Sequence, residues 1–208
     1  MHLETLLLLN KNMISTRFEE LKYAVNSCVY SSQAEELSPD AALQKAIAFL
    51  ITARREKSVV YVIGNGGSAG FASHFSSELI KNLDIPSQTL YDSNLLTCLA
   101  NDLGYEQIFS NPLSKLLKTK DILVAISSSG KSPNILKAAN TALSLGVSLI
   151  TFTGYEKTNP LRKLGHLNFW IDCCDSGLVE ISHFFFLHSL IDLFPSPEKT
   201  FSHLLKKN

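Results

Sequence analysis

The chain has 208 residues, 45 % of them hydrophobic, which is enough to bury one sizeable core and short for two. Its 19 basic and 19 acidic residues cancel to zero formal charge, so neither a nucleic-acid footprint nor a membrane-surface patch is expected and any charged ligand must be recognised locally. Four cysteines, Cys28, Cys98, Cys173 and Cys174, lack C-x-x-C spacing and fit a reduced, cytoplasmic setting.

Near the start, Leu6-Leu7-Leu8-Leu9 is apolar, but it has no basic residues ahead of it and Asn10-Lys11-Asn12 interrupts it. It reads as the beginning of a packing helix rather than a signal peptide, and no stretch approaches the roughly twenty apolar residues that span a bilayer. From about Leu3 to Arg55 the pattern predicts two helices. The second opens with Ser38-Pro39-Asp40, an N-cap followed by proline and an acid in the first turn, and continues in the stripe Ala42, Leu43, Ala46, Ile47, Leu50.

After Lys57 strands and helices alternate. Val59 to Ile63 is an uninterrupted β-branched run, as expected of a parallel strand buried on both faces. A helix follows from about Ser68 to Leu83, a short strand from Pro86 to Leu90, and helices near Asn94 to Asp102 and Glu106 to Leu117. Ile122 to Ile126 is the next strand, Ser132 to Leu145 a helix and Val147 to Phe152 a strand. A weak helix near Asn159, a strand from Leu167 to Ile171 and a helix from about Leu178 to Leu193 complete the series. Such alternation implies right-handed crossovers and a parallel sheet between two helical layers, with ligands at the carboxyl ends of the strands. The expected organisation is one structural domain: helices over 1–56, an α/β unit over 57–195 and a tail over 196–208.

Two loops carry the chemistry. Gly64-Asn65-Gly66-Gly67-Ser68-Ala69 ends a strand and opens a helix, where bare backbone N–H groups and the helix terminus favour an anion. It also satisfies the loose dinucleotide pattern G-x-G-x-x-G/A, and Asp92 lies roughly where a ribose-binding acid belongs. No Gly-Lys-Ser/Thr follows, so it is not a P-loop. The second loop, Ser127-Ser128-Ser129-Gly130-Lys131-Ser132-Pro133-Asn134, places four serines within six positions, more than helix capping by Ser129 and Ser132 requires. A dinucleotide enzyme has no particular use for this second hydroxyl-rich turn, which favours a phosphorylated small molecule.

His74 and Glu78 share one helix face at i, i+4, a spacing that suits two ligands of one metal, a base and its partner, or an ordinary surface contact. The last helix carries Glu180, His183 and His188 among Phe184, Phe185 and Phe186, where a buried histidine satisfied by the core is the plain reading. Glu180 and His188 are eight residues apart, about 12 Å of helical rise, so they meet at one ion only by leaning towards each other.

Taken together, Gly64-Asn65-Gly66-Gly67-Ser68, His74-Phe75-x-x-Glu78-Leu79, Asn101-Asp102, Ile126 to Ser132 and Thr151-Phe152-Thr153-Gly154 resemble the sugar-isomerase (SIS) domain of the phosphoheptose isomerases, over about residues 15–194. The resemblance implies a flavodoxin-like α/β/α sandwich with added N-terminal helices, assembled as a homotetramer with sites between subunits. It implies that Ser68, Ser127, Ser129 and Ser132 hold a phosphate, that Asn65, Gly66, Gly67, Asn101 and Asp102 line the sugar, and that Ser128 and Glu180 also belong to the substrate-binding set. His74, Glu78, Glu180 and His188 match a zinc set, with Glu180 where the family usually has glutamine, and Glu78 and His188 match the acid/base pair.

Asn82 and Gly177 replace an arginine and an acid of the family pattern. The implied activity is conversion of sedoheptulose 7-phosphate to D-glycero-D-manno-heptose 7-phosphate for lipopolysaccharide or another surface glycan. The alternative is a non-catalytic sugar-phosphate-binding regulator of the DnaA-binding type, whose branch lacks the Glu and His pair.

Overall fold

The structure is a computed structural model that describes residues 13–195; the Leu6–Leu9 run and the tail from 196 lie outside the described residues. In chain order the elements are α1 (Met13–Asn26), β1 (Cys28–Ser31), β2 (Glu36–Leu37), α2 (Pro39–Glu56), β3 (Val60–Ile63), α3 (Gly67–Leu83) and β4 (Ser87–Gln88). They continue with α4 (Ser93–Leu103), a single 3₁₀ turn (Tyr105–Gln107), α5 (Ser110–Leu116), β5 (Ile122–Ser127), α6 (Pro133–Ser144), β6 (Ser148–Thr153), α7 (Pro160–Leu164), β7 (Leu167–Ile171) and α8 (Ser176–Asp192).

One seven-stranded sheet runs in the order β2-β1-β7-β6-β5-β3-β4. From β4 to β7 the strands pair in parallel, and taken in chain order their arrangement is 2-1-3-4-5, the flavodoxin-like order. The sheet reverses direction of growth between β3 and β5, which opens a crevice at their carboxyl ends. That crevice lies between the two loops singled out in the sequence.

The strands alternate between two cores. Val60, Val62, Ile122, Val124 and Ile126 face α2, α3 and α8, while Tyr61, Ile63, Leu123 and Ala125 face α5, α6 and α7. This is why β3 and β5 read as continuous apolar runs: both faces of the sheet are covered. Helix starts follow the expected cap chemistry. Ser38 Oγ accepts from Ala41 N ahead of Pro39, and Asp175 Oδ1 accepts from Leu178 N at the start of α8.

Two expectations are corrected. The N-terminal stretch holds α1, two short strands and α2 rather than two helices. Cys28 to Ser31 alternate in burial and pair antiparallel with β7, because β7 would otherwise expose its backbone edge. The sheet is therefore mixed. The single helix expected over Glu106 to Leu117 is a 3₁₀ turn followed by α5, since Pro112 has no N–H to donate and its ring obstructs a helical turn before it. Among the described residues no helix is long and apolar enough to cross a membrane.

Candidate active site between a glycine turn and a serine loop

The glycine turn is held from three sides. Gly66 has φ 54° and ψ −123°, a conformation that glycine tolerates, and it caps α3 without a side-chain bond. A Cβ on Gly64 would come within 2.8 Å of Ser68, so the backbone folds back on its own helix there. Tyr91 places its hydroxyl against both polar groups of Gly64, accepting from the N–H at 2.7 Å and donating to the carbonyl at 3.0 Å. Burial pushes the Tyr91 phenol well above its ordinary pKa, so it remains a neutral donor.

Asn65 reaches across the crevice. Its amide exchanges two hydrogen bonds with that of Asn134 on α6, at 3.0 and 2.9 Å, and Tyr105 donates to the same Asn65 oxygen at 3.3 Å. Asn134 is 1 % exposed, so this amide pair ties the glycine turn to the helix that follows the serine loop. Sequence reasoning missed Tyr91, Tyr105 and Asn134. Asn134 stands next to Ser132-Pro133, but nothing in the local pattern shows that its partner is 69 residues away.

The serines are not consumed by capping. Ser132 occupies the cap position of α6 with no side-chain cap bond, and its hydroxyl instead accepts from Ser127 at 3.4 Å. Ser129 accepts from Lys131 N at 3.2 Å, which closes the turn, and Ser128 Oγ is buried with no hydrogen-bond partner among the described residues. Ser68, 4 % exposed, sits in the first turn of α3 on the other side of the crevice. The N-termini of α3 and α6 both open here, adding partial positive charge where no arginine is placed.

α3 and α8 run side by side in the same direction, as three matched contacts show. A Cβ on Gly67 would strike the Glu180 carboxylate, Phe71 stacks on Phe184 with centroids 4.7 Å apart, and His74 Nε2 lies 3.1 Å from His188 Nε2. Phe184 also packs edge-on against both imidazoles, with centroids 5.2 and 4.6 Å away. Glu78 lines the same small pocket as His74, His188 and Phe184. Its carboxylate accepts a very short hydrogen bond from Asn82 and faces Lys81 Nζ at 3.8 Å, with 17 % of the side chain exposed.

This ladder separates the four residues expected to share a metal. His74 and His188 meet, whereas Glu180 lies against the glycine turn at the head of α3, because its eight-residue offset from His188 keeps its helical rise within one continuous helix. Among the described residues no group of three or more His, Cys, Asp or Glu side chains is disposed to hold a metal ion. The 3.1 Å imidazole separation is close to the roughly 3.3 Å expected of two nitrogens on one tetrahedral zinc, and equally to a hydrogen bond between the rings. Two of the four expected ligands are thus paired and the complete set is not assembled.

Asn101 and Asp102 are exposed on α4, hydrogen-bonded to each other at 2.8 Å, with Cys98 Sγ 3.6 Å from Asp102. His183 is fully buried and its Nε2 bonds the Thr153 carbonyl at 2.9 Å, which matches the plain reading of a core histidine. Its burial lowers the imidazole pKa to about 4.

The SIS domain profile matches residues 22–154. A phosphoheptose isomerase from Helicobacter pylori (strain P12) is 31 % identical over 169 residues, covering 77 % of this chain and 85 % of its own length. One from Campylobacter concisus (strain 13826) is 35 % identical over 137 residues, or 63 % and 72 % of the two chains. The solved phosphoheptose isomerase of Francisella tularensis superposes with a TM-score of 0.76 at 27 % identity, over 88 % of this chain and 96 % of that one. The Neisseria gonorrhoeae enzyme gives the same TM-score at 22 % identity, over 89 % and 99 %, a likeness of fold. A crevice flanked by a glycine turn and a serine loop, on this strand order and with these relatives, places the chain in the SIS-domain family, among the phosphoheptose isomerases.

Proposed function

We propose that the chain interconverts sedoheptulose 7-phosphate and D-glycero-D-manno-heptose 7-phosphate. The observation that carries this reading is the ladder between α3 and α8, which runs from the anion-binding turn at Gly67 to a pocket lined by Glu78, His74 and His188. One end suits the phosphate and the other the reacting carbons of the sugar. Ser68, Ser127, Ser128, Ser129 and Ser132 would receive the phosphate oxygens, while Asn65, Gly66, Gly67, Asn101, Asp102 and Glu180 would face the hydroxyls.

The reaction moves one proton from C1 to C2. Glu78 takes the C1 proton, the electrons pass through an enediolate to the C2 oxygen, and Glu78 returns the proton to C2. His188 protonates the C2 oxygen and accepts the proton leaving the C1 oxygen. Its contact with His74 requires one of the two facing nitrogens to carry the hydrogen, so the pair can pass a proton between rings. Asn82 orients Glu78 by donating to one of its carboxylate oxygens. The regulator reading is not favoured, since Glu78 and His188 are both kept in one pocket.

Zinc is proposed on the His74 and His188 pair, with Glu78 one turn along the same face, in place of the hydrogen that the two rings share in the metal-free protein. When bound it would supply a Lewis acid for the enediolate oxygen, and the proton steps given above to His188 are those of the metal-free protein. A homotetramer with shared sites is likewise proposed. Its support is the large apolar surface left on α1 and α8, with Ile14 66 %, Phe18 63 %, Ile181 47 % and Phe185 52 % exposed. A cytoplasmic place and a role in supplying heptose for a surface glycan follow from the same reading.

The test is turnover of sedoheptulose 7-phosphate by the purified protein, with and without added zinc. Glu78→Gln should lower kcat by about 10²–10⁴. Equal turnover in the two proteins would remove Glu78 from the chemistry. Elemental analysis tests the metal separately: His74→Ala should lose the zinc that the wild type retains, and equal content would exclude His74 as a ligand.

A further inference from the structure

We infer that Asn159 is a positioning residue for the serine loop, holding from behind the shape in which that loop receives phosphate. The inference rests on the reading of Ser127 to Ser132 as the phosphate-binding turn.

Asn159 stands in the connection between β6 and α7 and is 0 % exposed. Its side chain uses both ends. The amide nitrogen donates to the Gly154 carbonyl at 3.2 Å and to the Glu156 carbonyl at 2.9 Å, while the amide oxygen accepts from Arg162 N at 2.9 Å and caps α7. The face of this side chain fills the space beside Gly130, where a Cβ would collide with it, and Gly130 itself has φ +60°.

The segment Asn159 shapes is then bonded to the serine loop at two backbone points. Gly154 N donates to Ser128 O at 2.8 Å, and Leu161 N donates to Gly130 O at 3.2 Å. Gly154, whose carbonyl Asn159 holds, is thus the residue whose N–H holds Ser128. The loop therefore has no freedom to change curvature unless the Asn159 network opens. On the exposed rim Lys131 Nζ pairs with Glu156 at 2.7 Å, but both side chains are more than half exposed and the pair contributes little. The buried amide, not the ion pair, is what restrains the loop.

An amide is required because the position demands a donor on one side and an acceptor on the other. Asn159→Asp keeps the size and the cap of α7 but turns a donor into an acceptor facing two carbonyls. Asn159→Ser keeps a competent cap on α7 and loses the reach to Gly154, so it remains available as the milder variant. The readouts are inhibition by inorganic phosphate, KM and kcat with sedoheptulose 7-phosphate, and the melting temperature.

Either variant should raise both the phosphate inhibition constant and KM by about tenfold and leave kcat within about twofold, because loop shape acts on phosphate and not on Glu78. A lower melting temperature with phosphate inhibition and KM unchanged would make Asn159 merely structural and overturn the proposal. Ser129→Ala separates the two readings. If Ser129→Ala weakens phosphate inhibition and the Asn159 variants do not, the phosphate-binding turn stands and the role of Asn159 falls. If Ser129→Ala has no effect, the turn is misassigned and the proposal falls with it.

Discussion

Lowering the pH from 7 to 5 should cost the fold about 2 kcal/mol through His183 alone. The imidazole projects from α8 and is fully buried against β6, edge-on to Phe152 at 5.8 Å, with Nε2 donating to the Thr153 carbonyl and Nδ1 without a hydrogen-bond partner among the described residues. Burial lowers its folded pKa from 6.5 to about 4. The unfolded chain therefore takes up a proton below pH 6.5 that the native state refuses until pH 4, so this contribution is complete above pH 6.5 and lost as pH falls through that window. At 1.36 kcal/mol per unit the loss is about 2 kcal/mol by pH 5 and about 3 by pH 4. The assay is guanidinium unfolding of the wild type and His183→Gln across pH 4.5 to 7.5. The mutant starts less stable, and the gap should narrow by the stated amount as the pH falls, since all other groups titrate alike in both. Parallel curves for the two proteins would refute the reasoning.

Tyr91→Phe removes the hydroxyl that bonds both polar groups of Gly64, and should cost about 1–3 kcal/mol by denaturant unfolding while raising KM; unchanged values of both would show that water replaces it fully. Gly67→Ala puts a Cβ against the Glu180 carboxylate, the end of a flexible side chain that can swing aside, so it should cost less than about 1 kcal/mol in denaturant unfolding, and Glu180→Ala in the same chain should remove that cost. Additive effects of the two substitutions would separate Gly67 from Glu180.

The helices with cap signals and the strands buried on both faces were legible at the residue level. Ser38-Pro39-Asp40 starts α2 where expected, and Leu167 to Ile171 is β7 at its expected ends, because both patterns are local. The strand Cys28 to Ser31 was not legible, since four half-buried residues become a strand only when β7 offers an open edge. At the site, the glycine turn and serine loop were legible from their residues and their place between an apolar strand and a helix. The residues that brace them were not: Tyr91, Asn134 and Asn159 are ordinary polar side chains in sequence, and their roles come from partners in other segments.

What the sequence determined by itself is the chemistry available: a glycine turn and a serine-rich loop at strand ends, a His and Glu on one helix face, and a largely apolar helix carrying Glu180, His183 and His188. What only the tertiary structure decided is which of these meet. Side-by-side packing of α3 and α8 in a single direction pairs His74 with His188 and carries Glu180 to Gly67, because Glu180 and His188 stand more than two turns apart on one continuous helix and cannot converge on one point.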